Sequence, residues 1–194
     1  MGLDKLKKKD LIKAAQQYAK AMMQDDLHVY FFPEEKTRYR KLLSLYTYKI
    51  KNQIADCYIT SENLEGLAIW EKPYEHHNNL SATEVLSGTR LIFKCGISSL
   101  FRMLKYQIWS TRARNRLIEE PYWYLDVVIV SPEFQGKGFA SKLIKPFLEE
   151  ASSNGSKVYL ETQNKNNVPI YEKYGFRLIK VLSMSRISQY CMIK

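Results

Sequence analysis

The stretch that decides the fold runs from Tyr124 to Ala140 and reads YLDVVIV-SPEF-QGKGFA. Its first part is rich in β-branched residues and predicts a buried strand that stops at Ser131-Pro132, because proline lacks the amide donor that a strand ladder needs. Its last part, Gln135–Ala140, contains two glycines and opens an amphipathic helix. The apolar residues of that helix recur on one face: Leu143, Ile144, Phe147, Leu148 and Ala151. Free amides and the positive dipole end at a helix start favour phosphate, so we expect a phosphate-bearing ligand here.

Two common phosphate loops do not fit this stretch. The mononucleotide loop requires G-x-x-x-x-G-K-[ST], which the chain lacks, and the dinucleotide fingerprint is matched only approximately by Gly136-x-Gly138-x-x-Ser141. The pattern Gln/Arg-x-x-Gly-x-Gly/Ala is filled by Gln135, Gly138 and Ala140. It resembles the pyrophosphate loop of the GNAT superfamily of acetyl-CoA-dependent N-acetyltransferases.

A second segment carries the same resemblance. Lys157–Thr162 predicts another strand, and Gln163–Phe176 follows it with an asparagine-containing loop, a short helix, Tyr171 and a Gly-Phe pair. This order is similar to the closing signature of the same superfamily. Two signatures in sequence are more specific than either alone, and together they cover about the last third of the chain. The resemblance extends weakly to Asp25-Asp26 and Tyr30–Pro33.

The resemblance implies one α/β domain over residues 1–194, with a mixed, mostly antiparallel sheet flanked by helices. It also implies acetyl-CoA as donor, with the pyrophosphate held by the loop amides and the pantetheine held by the backbone of the strand edge. The residues that it places against the cofactor are Val128, Ile129, Val130, Gln135, Gly136, Lys137, Gly138, Phe139, Ala140, Ser141, Asn164, Asn167 and Tyr171. Which of Asn164 and Asn167 contacts CoA stays open at this point.

Acetyl transfer by direct attack of an amine on a thioester needs a deprotonated amine, a stabilised oxyanion and a proton for the leaving thiolate. The resemblance assigns the proton donor to Tyr171, with Tyr174 as the substitute if the register differs and a packed core phenol as the alternative. Asp126 and Glu161 are candidate bases, because a carboxylate in an apolar strand can have a raised pKa. A structural carboxylate is the alternative for each, and water without a dedicated base is a further one.

Length and composition limit the class of protein and the number of domains. The chain has 194 residues, of which 45% are hydrophobic, so one sizeable core and one domain are expected. It has no apolar run of membrane-spanning length, and its lysine-rich start lacks the apolar stretch of a signal peptide. We therefore expect a cytoplasmic protein. Three scattered cysteines, the neighbours His76 and His77 and the isolated His28 predict no metal site.

The net charge of +10 calls for an anionic partner, and CoA, nucleic acid or an anionic membrane would each supply one. The segment Phe101–Arg116 interleaves arginines with aromatic residues, as a nucleic-acid groove would. We favour the alternative that it is a helix with solvated arginines and an apolar stripe packed inward. That stripe would comprise Leu100, Met103, Leu104, Gln107 and Ile108. One or two helices are expected in Leu91–Glu119, with Ser98-Ser99 as a cap or break.

The leading functional hypothesis is acetyl-CoA-dependent transfer of an acetyl group to a primary amine of a small molecule or peptide. A non-catalytic CoA-binding regulatory module and a nucleic-acid-binding protein are the alternatives, the second disfavoured by the ordered pair of motifs. The acceptor would meet a cleft formed by the first helices and a surface loop at Lys72–Arg90. Its identity is not readable, and the oligomeric state stays open, with a homodimer among the options.

Overall fold

The computed structural model describes residues 3–73, 91–118 and 121–194. Most of the segment Lys72–Arg90, including His76 and His77, lies outside the described residues. The strands are β1 (Asp4–Lys5), β2 (Cys57–Ile59), β3 (Gly66–Glu71), β4 (Tyr122–Val130), β5 (Lys157–Thr162), β6 (Arg177–Met184) and β7 (Ile187–Ile193). The helices are α1 (Leu11–Ala21), α2 (Asp26–Phe31), α3 (Glu35–Asn52), α4 (Ile97–Leu117), α5 (Phe139–Ser153) and α6 (Val168–Glu172).

The seven strands form one sheet in the order β1-β2-β3-β4-β5-β7-β6. In the described ranges β4 and β5 pair in parallel, and every other neighbouring pair is antiparallel. Helix α5 makes the crossover that a parallel pair requires. The predicted α/β fold with a mixed, mostly antiparallel sheet is confirmed, as are the predicted hairpins β2–β3 and β6–β7.

Helices cover both faces of the sheet. On one face, α5 buries its apolar stripe against residues of β3, β4 and β5 such as Trp70, Leu125 and Leu160. On the other face, α1, α2 and α3 enclose a second core with Ile69 and Ile129. Within the described ranges, no helix combines the length and the apolar character needed to cross a bilayer. A ligand bound between β4 and β5 would therefore be approached by helices from two opposite sides.

Strand β4 is irregular at its centre. Ile69 pairs with Val127 and Trp70 with Leu125, so Asp126 is the extra residue of a β-bulge. The pairing between β4 and β5 starts at Tyr122 and ends at Leu125, opposite Leu160. Beyond the bulge, β4 keeps β3 on one side and has no β5 partner among the described residues. The sheet therefore opens between its two parallel strands at Asp126.

The region before β4 is helical at residues 91–95 and again from Ile97. The break falls at Gly96, whose φ of 84° is a conformation that other residues rarely adopt. The sequence placed a cap or break at Ser98-Ser99 instead, and that placement is wrong. Hydroxyls at a helix start are common caps, but here the glycine backbone sets where the chain turns.

The predicted inward stripe of α4 is wrong for Leu104, Gln107 and Ile108, whereas Met103 does pack against the core under α1–α3. Leu104 and Ile108 are 54% and 43% exposed, whereas Tyr106 and Ser110 are buried. The Tyr106 hydroxyl donates to Gln189 Oε1 (2.7 Å) on β7, and the Ser110 hydroxyl lies 3.0 Å from a carboxylate oxygen on β5. Polar contacts with the sheet thus set the rotation of this helix. Apolar periodicity alone cannot report them.

The arginines of α4 are not all solvated, as the sequence had suggested. Arg102 donates through Nη2 and Nε to the carbonyl oxygen of Phe31 (2.8 and 3.1 Å). The guanidinium of Arg114 lies 4.1 Å from the ring centroid of Tyr124 and is largely buried. Two of the cations that had suggested a nucleic-acid groove therefore hold α4 to the rest of the domain.

Candidate active site where β4 and β5 separate

The loop after β4 is arranged as an anion site. Gly136 and Gly138 have φ angles of 75° and 82°, and Gly138 is the N-cap of α5 without a capping side chain. The first hydrogen bond of the helix is donated by Lys142 to the Gly138 carbonyl (3.2 Å). In the part of the chain that the structure describes, the amides from Gly136 to Ser141 have no protein acceptor. They are therefore free to bind phosphate oxygens at the positive end of the helix dipole.

The glycines leave room for such a ligand. A Cβ atom placed on Gly136 or Gly138 would meet no heavy atom within 4 Å, so the backbone there faces open space. The side chain of Lys137 is exposed and its Nζ lies 5.4 Å from the ring centroid of Phe134. Gln135 uses its side chain internally, since Nε2 donates to the carbonyl of Val130 (3.2 Å) and fastens the loop to the end of β4.

The end of β4 can contact a ligand through its backbone rather than through its side chains. Ile129 is buried in the core under α1–α3, whereas Val128 packs towards α5. The edge of Val128–Val130 that faces away from β3 lacks a strand partner in the described ranges. An extended ligand with its own amide groups could pair with this edge.

Helix α6, which follows β5, carries Tyr171. Its ring packs edge-on against Phe176, with centroids 6.0 Å apart. Burial raises the pKa of Tyr171 to about 12, so the phenol is protonated at neutral pH. The hydroxyl of Tyr174, the substitute named from the sequence, lies 2.9 Å from the Ser141 hydroxyl. Tyr174 therefore fastens this segment to the first turn of α5, which leaves Tyr171 as the candidate acid.

The two asparagines have different local roles. Asn164 is exposed and its Oδ1 accepts from the amide of Asn166 (2.9 Å), which stabilises the turn after β5. Asn167 is half-buried and its Nδ2 donates to Thr162 Oγ1 (3.1 Å) at the end of β5. Either side chain keeps further hydrogen-bonding capacity for a ligand. Which of them contacts CoA stays a prediction.

Asp126, the first candidate base, is the bulged residue of β4. Its carboxylate forms an ion pair with Lys49 of α3, at 2.7 Å between Nζ and Oδ2. Gln53 Nε2 donates to the same carboxylate at 3.3 Å. The bulge turns this side chain to the face covered by α1–α3, at the point where the strands separate.

Glu161, the second candidate base, is more enclosed, with a side chain only 5% exposed. The hydroxyls of Ser110 and Tyr159 both donate to it at 3.0 Å, and Arg114 Nε lies 3.6 Å away. Burial raises the pKa of Glu161, and the charge of Arg114 opposes that rise. This carboxylate connects α4 to the sheet.

One hydrogen-bonded cluster was not predicted from the sequence, in which His28 was treated as isolated. His28 Nδ1 lies 2.5 Å from Asp25 Oδ1, and His28 Nε2 lies 2.6 Å from Tyr46 Oη. The carboxylate must accept, so His28 donates from Nδ1. The Asp-x-x-His spacing at the start of α2 was a local signal for the first bond. The second joins residues 18 positions apart and had none.

Part of the chain matches the model of a known protein family. The model of the acetyltransferase (GNAT) family matches residues 101–176, from α4 to the end of the α6 segment. An uncharacterized N-acetyltransferase of Schizosaccharomyces pombe is 26% identical over 202 residues, which cover 97% of this chain and 79% of that protein.

Solved structures show the same fold. Histone acetyltransferase HPA2 and related acetyltransferase from Corynebacterium glutamicum superimposes with a TM-score of 0.70 at 19% identity, over 99% of this chain and 94% of that one. Arylalkylamine N-acetyltransferase 2 from Aedes aegypti gives 0.64 at 13% identity, over 100% and 97%. The family match spans α4, β4, α5, β5 and α6, the elements that build the candidate site, so this part of the chain is similar to the GNAT acetyltransferases.

Proposed function

We propose that the protein transfers the acetyl group of acetyl-CoA to a primary amine of a small molecule or peptide, which attacks directly while both substrates are bound. One observation carries this proposal. The hydrogen bond between Ser141 and Tyr174 joins the first turn of α5, with its free amides, to the segment that holds Tyr171. The anion-binding loop and the candidate acid are therefore parts of one connected assembly.

The residues present fit acetyl-CoA. Its pyrophosphate requires several neutral donors that converge on one side, and the amides of Gly136–Ser141 supply them. Lys137 and Lys142 are exposed at the same end of α5 and add positive charge. The unpartnered edge of Val128–Val130 matches the amide groups of pantetheine, and Asn164 or Asn167 adds a contact beside it. When bound, acetyl-CoA supplies the activated acyl group as a thioester.

Tyr171 is proposed as the proton donor for the departing sulfur. Its pKa of about 12 keeps the hydroxyl protonated across the physiological range. The phenol can hydrogen-bond to the sulfur and donate its proton there as the C–S bond breaks and negative charge develops. Because the pKa of Tyr171 lies above that of an ordinary thiol, the resulting phenolate then recovers a proton from solvent.

Asp126 is proposed as the residue that receives the amine proton, directly or through water. It stands at the bulge, where β4 leaves β5, on the face that α1–α3 cover. Glu161 remains a second candidate, but its bonds to Ser110 and Tyr159 favour a role in holding α4. A cytoplasmic location and a possible homodimer remain predictions.

The test is an amine screen that follows release of the CoA thiol. Acetyl-CoA is first titrated by calorimetry, and turnover is then measured with tyramine, phenethylamine, spermidine and a short peptide. The chain suits a thiol reagent, because Cys57, Cys95 and Cys191 are buried and burial raises the pKa of Cys57 to about 12 and of Cys95 to about 11. We expect binding of acetyl-CoA and amine-dependent thiol release. No binding would refute the proposal, and binding without release by any amine would support the non-catalytic alternative.

A further inference from the structure

The outward face of α4 carries an exposed apolar surface that the candidate active site does not use. Phe101, Leu104 and Ile108 are 71%, 54% and 43% exposed and follow one another at one-face helical spacing. With Leu182 and Met184 of β6 they line a groove of about 820 Å³ between this helix and the edge strand of the sheet. That volume is typical of small-molecule sites, which are mainly apolar with a few polar groups that orient the ligand. An exposed apolar groove of this size indicates a binding surface.

The charged side chains that line the groove in the described ranges are all cationic. They are Lys105, Arg112 and Arg116 of α4 and Lys180 of β6. All four are exposed, and none forms an ion pair with a carboxylate among the described residues. The described part of the groove therefore presents positive charge beside an apolar surface.

Hydrogen bonds between α4 and the sheet fix the direction in which the groove runs. Tyr106 of α4 bonds to the β7 residue that pairs with Leu182 of β6. One turn later, Ser110 bonds to the β5 residue that the strand register places level with Lys180. Helix α4 therefore runs antiparallel to β6, so its N-terminal half lies beside the C-terminal end of that strand.

This direction separates an apolar end of the groove from a basic end. Phe101 and Leu104 belong to the N-terminal half of α4 and lie towards the apolar end of β6, whereas Arg112 and Arg116 belong to the C-terminal half. These two arginines lie towards Lys180. The remaining cation of the groove can lay its alkyl stem over the apolar part and keep its ammonium group in water. From Phe101 to Arg116 the helix rises roughly 22 Å, at about 1.5 Å per residue. The matching ligand is therefore long and apolar, with an anionic group at one end.

We propose that the groove between α4 and β6 binds a long-chain fatty acid, with its alkyl chain over Phe101–Ile108 and its carboxylate at Arg112, Arg116 and Lys180. The chain covers apolar surface that otherwise faces water, and guanidinium groups bind carboxylates with good geometry. A second copy of this protein is a poor occupant, because a two-fold contact would bring the cations of both copies together. An acidic amphipathic helix is also a poor occupant, because its carboxylates would extend over the apolar end. No lining residue of the groove is a candidate for acetyl transfer or for CoA binding, so the site is additional to the proposed function.

The test is calorimetry with octanoate, decanoate and dodecanoate below their micelle-forming concentrations. The Kd should fall about two- to fourfold for each added methylene group. Dodecyltrimethylammonium, which has the same chain and a cationic head, should bind at least about tenfold more weakly than dodecanoate. A saturating concentration of CoA should leave the Kd of dodecanoate unchanged, because the two sites share no residue. Failure of dodecanoate to bind, equal binding of the cationic amphiphile, or displacement of dodecanoate by CoA would each overturn the proposal.

Two pairs of variants locate the site. Leu104→Ser should weaken dodecanoate binding about three- to tenfold with little change in melting temperature, because this side chain is already exposed. Ile97→Ser is its matched control, since Ile97 is 66% exposed on the same helix and lies outside the groove lining. Arg112→Gln combined with Arg116→Gln should weaken binding about five- to tenfold, whereas Arg177→Gln, at an exposed position of β6 outside the groove lining, should not.

Dodecanoate binding that is as tight in the groove variants as in their controls would overturn the proposal. Two further measurements address other occupants of the same surface, namely sedimentation with vesicles of phosphatidylglycerol and phosphatidylcholine, and the molecular mass of the protein in solution. If Leu104→Ser abolished vesicle binding or dimer formation while wild type did not bind dodecanoate, the groove would be a membrane or subunit contact and the fatty-acid site would be refuted.

Discussion

Replacing Tyr171 by phenylalanine removes a single oxygen and tests whether this residue supplies the proton. The ring can keep its edge-on contact with Phe176, and burial together with the neighbouring Tyr174 accounts for the raised pKa without a hydrogen bond. The substitution should therefore change the free energy of unfolding by less than about 1 kcal/mol. Loss of a general acid typically lowers kcat by about 10²- to 10⁴-fold, which corresponds to about 3–5 kcal/mol in the activation barrier.

Tyr174→Phe is the control, because it lies three positions away and its hydroxyl is used structurally. It loses the contact with Ser141 at 2.9 Å. The expected cost is about 1 kcal/mol, which lowers the melting temperature by about 2–4 °C in a chain of this size. Its kcat should fall by less than about tenfold. Tyr171→Phe should therefore lose activity and keep its stability, whereas Tyr174→Phe should lose stability and keep most of its activity.

The assay is thiol release with the best amine of the screen, accompanied by calorimetry with CoA and thermal melts. Tyr171→Phe should bind CoA with nearly the wild-type Kd, since the proposed pyrophosphate and pantetheine contacts are made mostly by backbone groups of other residues. Because the pKa of Tyr171 is about 12, deprotonation of this residue should not reduce the wild-type kcat below about pH 10. A variant with wild-type kcat, or one whose only defect is weaker CoA binding, would refute the assignment.

Three further outcomes are expected. Gly138 and Gly155 lie at opposite ends of α5 with φ of 82° and 63°, and replacing either by alanine should lower the free energy of unfolding by about 1 kcal/mol in denaturant melts. Only Gly138→Ala should also weaken CoA binding in calorimetry, by at least about tenfold. Asp126→Asn should lower kcat/KM by about 10²-fold, whereas Lys49→Met, which breaks the same ion pair, should lower it by less than about tenfold; equal losses would assign the effect to the pair. Finally, burial raises the pKa of several tyrosines in the folded state above the unfolded value of about 10. The stability that these protonated phenols contribute should be fully present below about pH 10 and should be lost as the pH rises further. Melts between pH 8.5 and 11 should show the loss, up to about 1.4 kcal/mol per pH unit for each such phenol, and a constant stability would contradict it.

Much of the fold could be predicted because its signals are local. The β-branched run of β4, the glycines after it and the one-face spacing of α5 lie within a few residues of one another. Each reports a backbone conformation or a buried face without reference to the rest of the chain. The loop that is proposed to bind pyrophosphate and the segment around Tyr171 were recognised in the same way, from contiguous motifs.

The rotation of α4 shows where local signals fail. Its exposed side carries Leu104 and Ile108, and its buried side is set by Tyr106 and Ser110. The partners of these two residues lie 83 and 51 positions away, on β7 and β5. A periodicity argument weighs apolar residues only, so it chose the wrong face.

What the sequence determined by itself is the succession of elements, including the loop after β4 and the segment around Tyr171, since these rest on short-range backbone preferences. Only the tertiary structure decided what faces the opening between β4 and β5. The bulge at Asp126 and its pairing with Lys49 from 77 positions away both depend on how distant elements pack. Hydrogen bonds and ion pairs need atoms within a few ångströms, and that proximity arises only when the chain has folded.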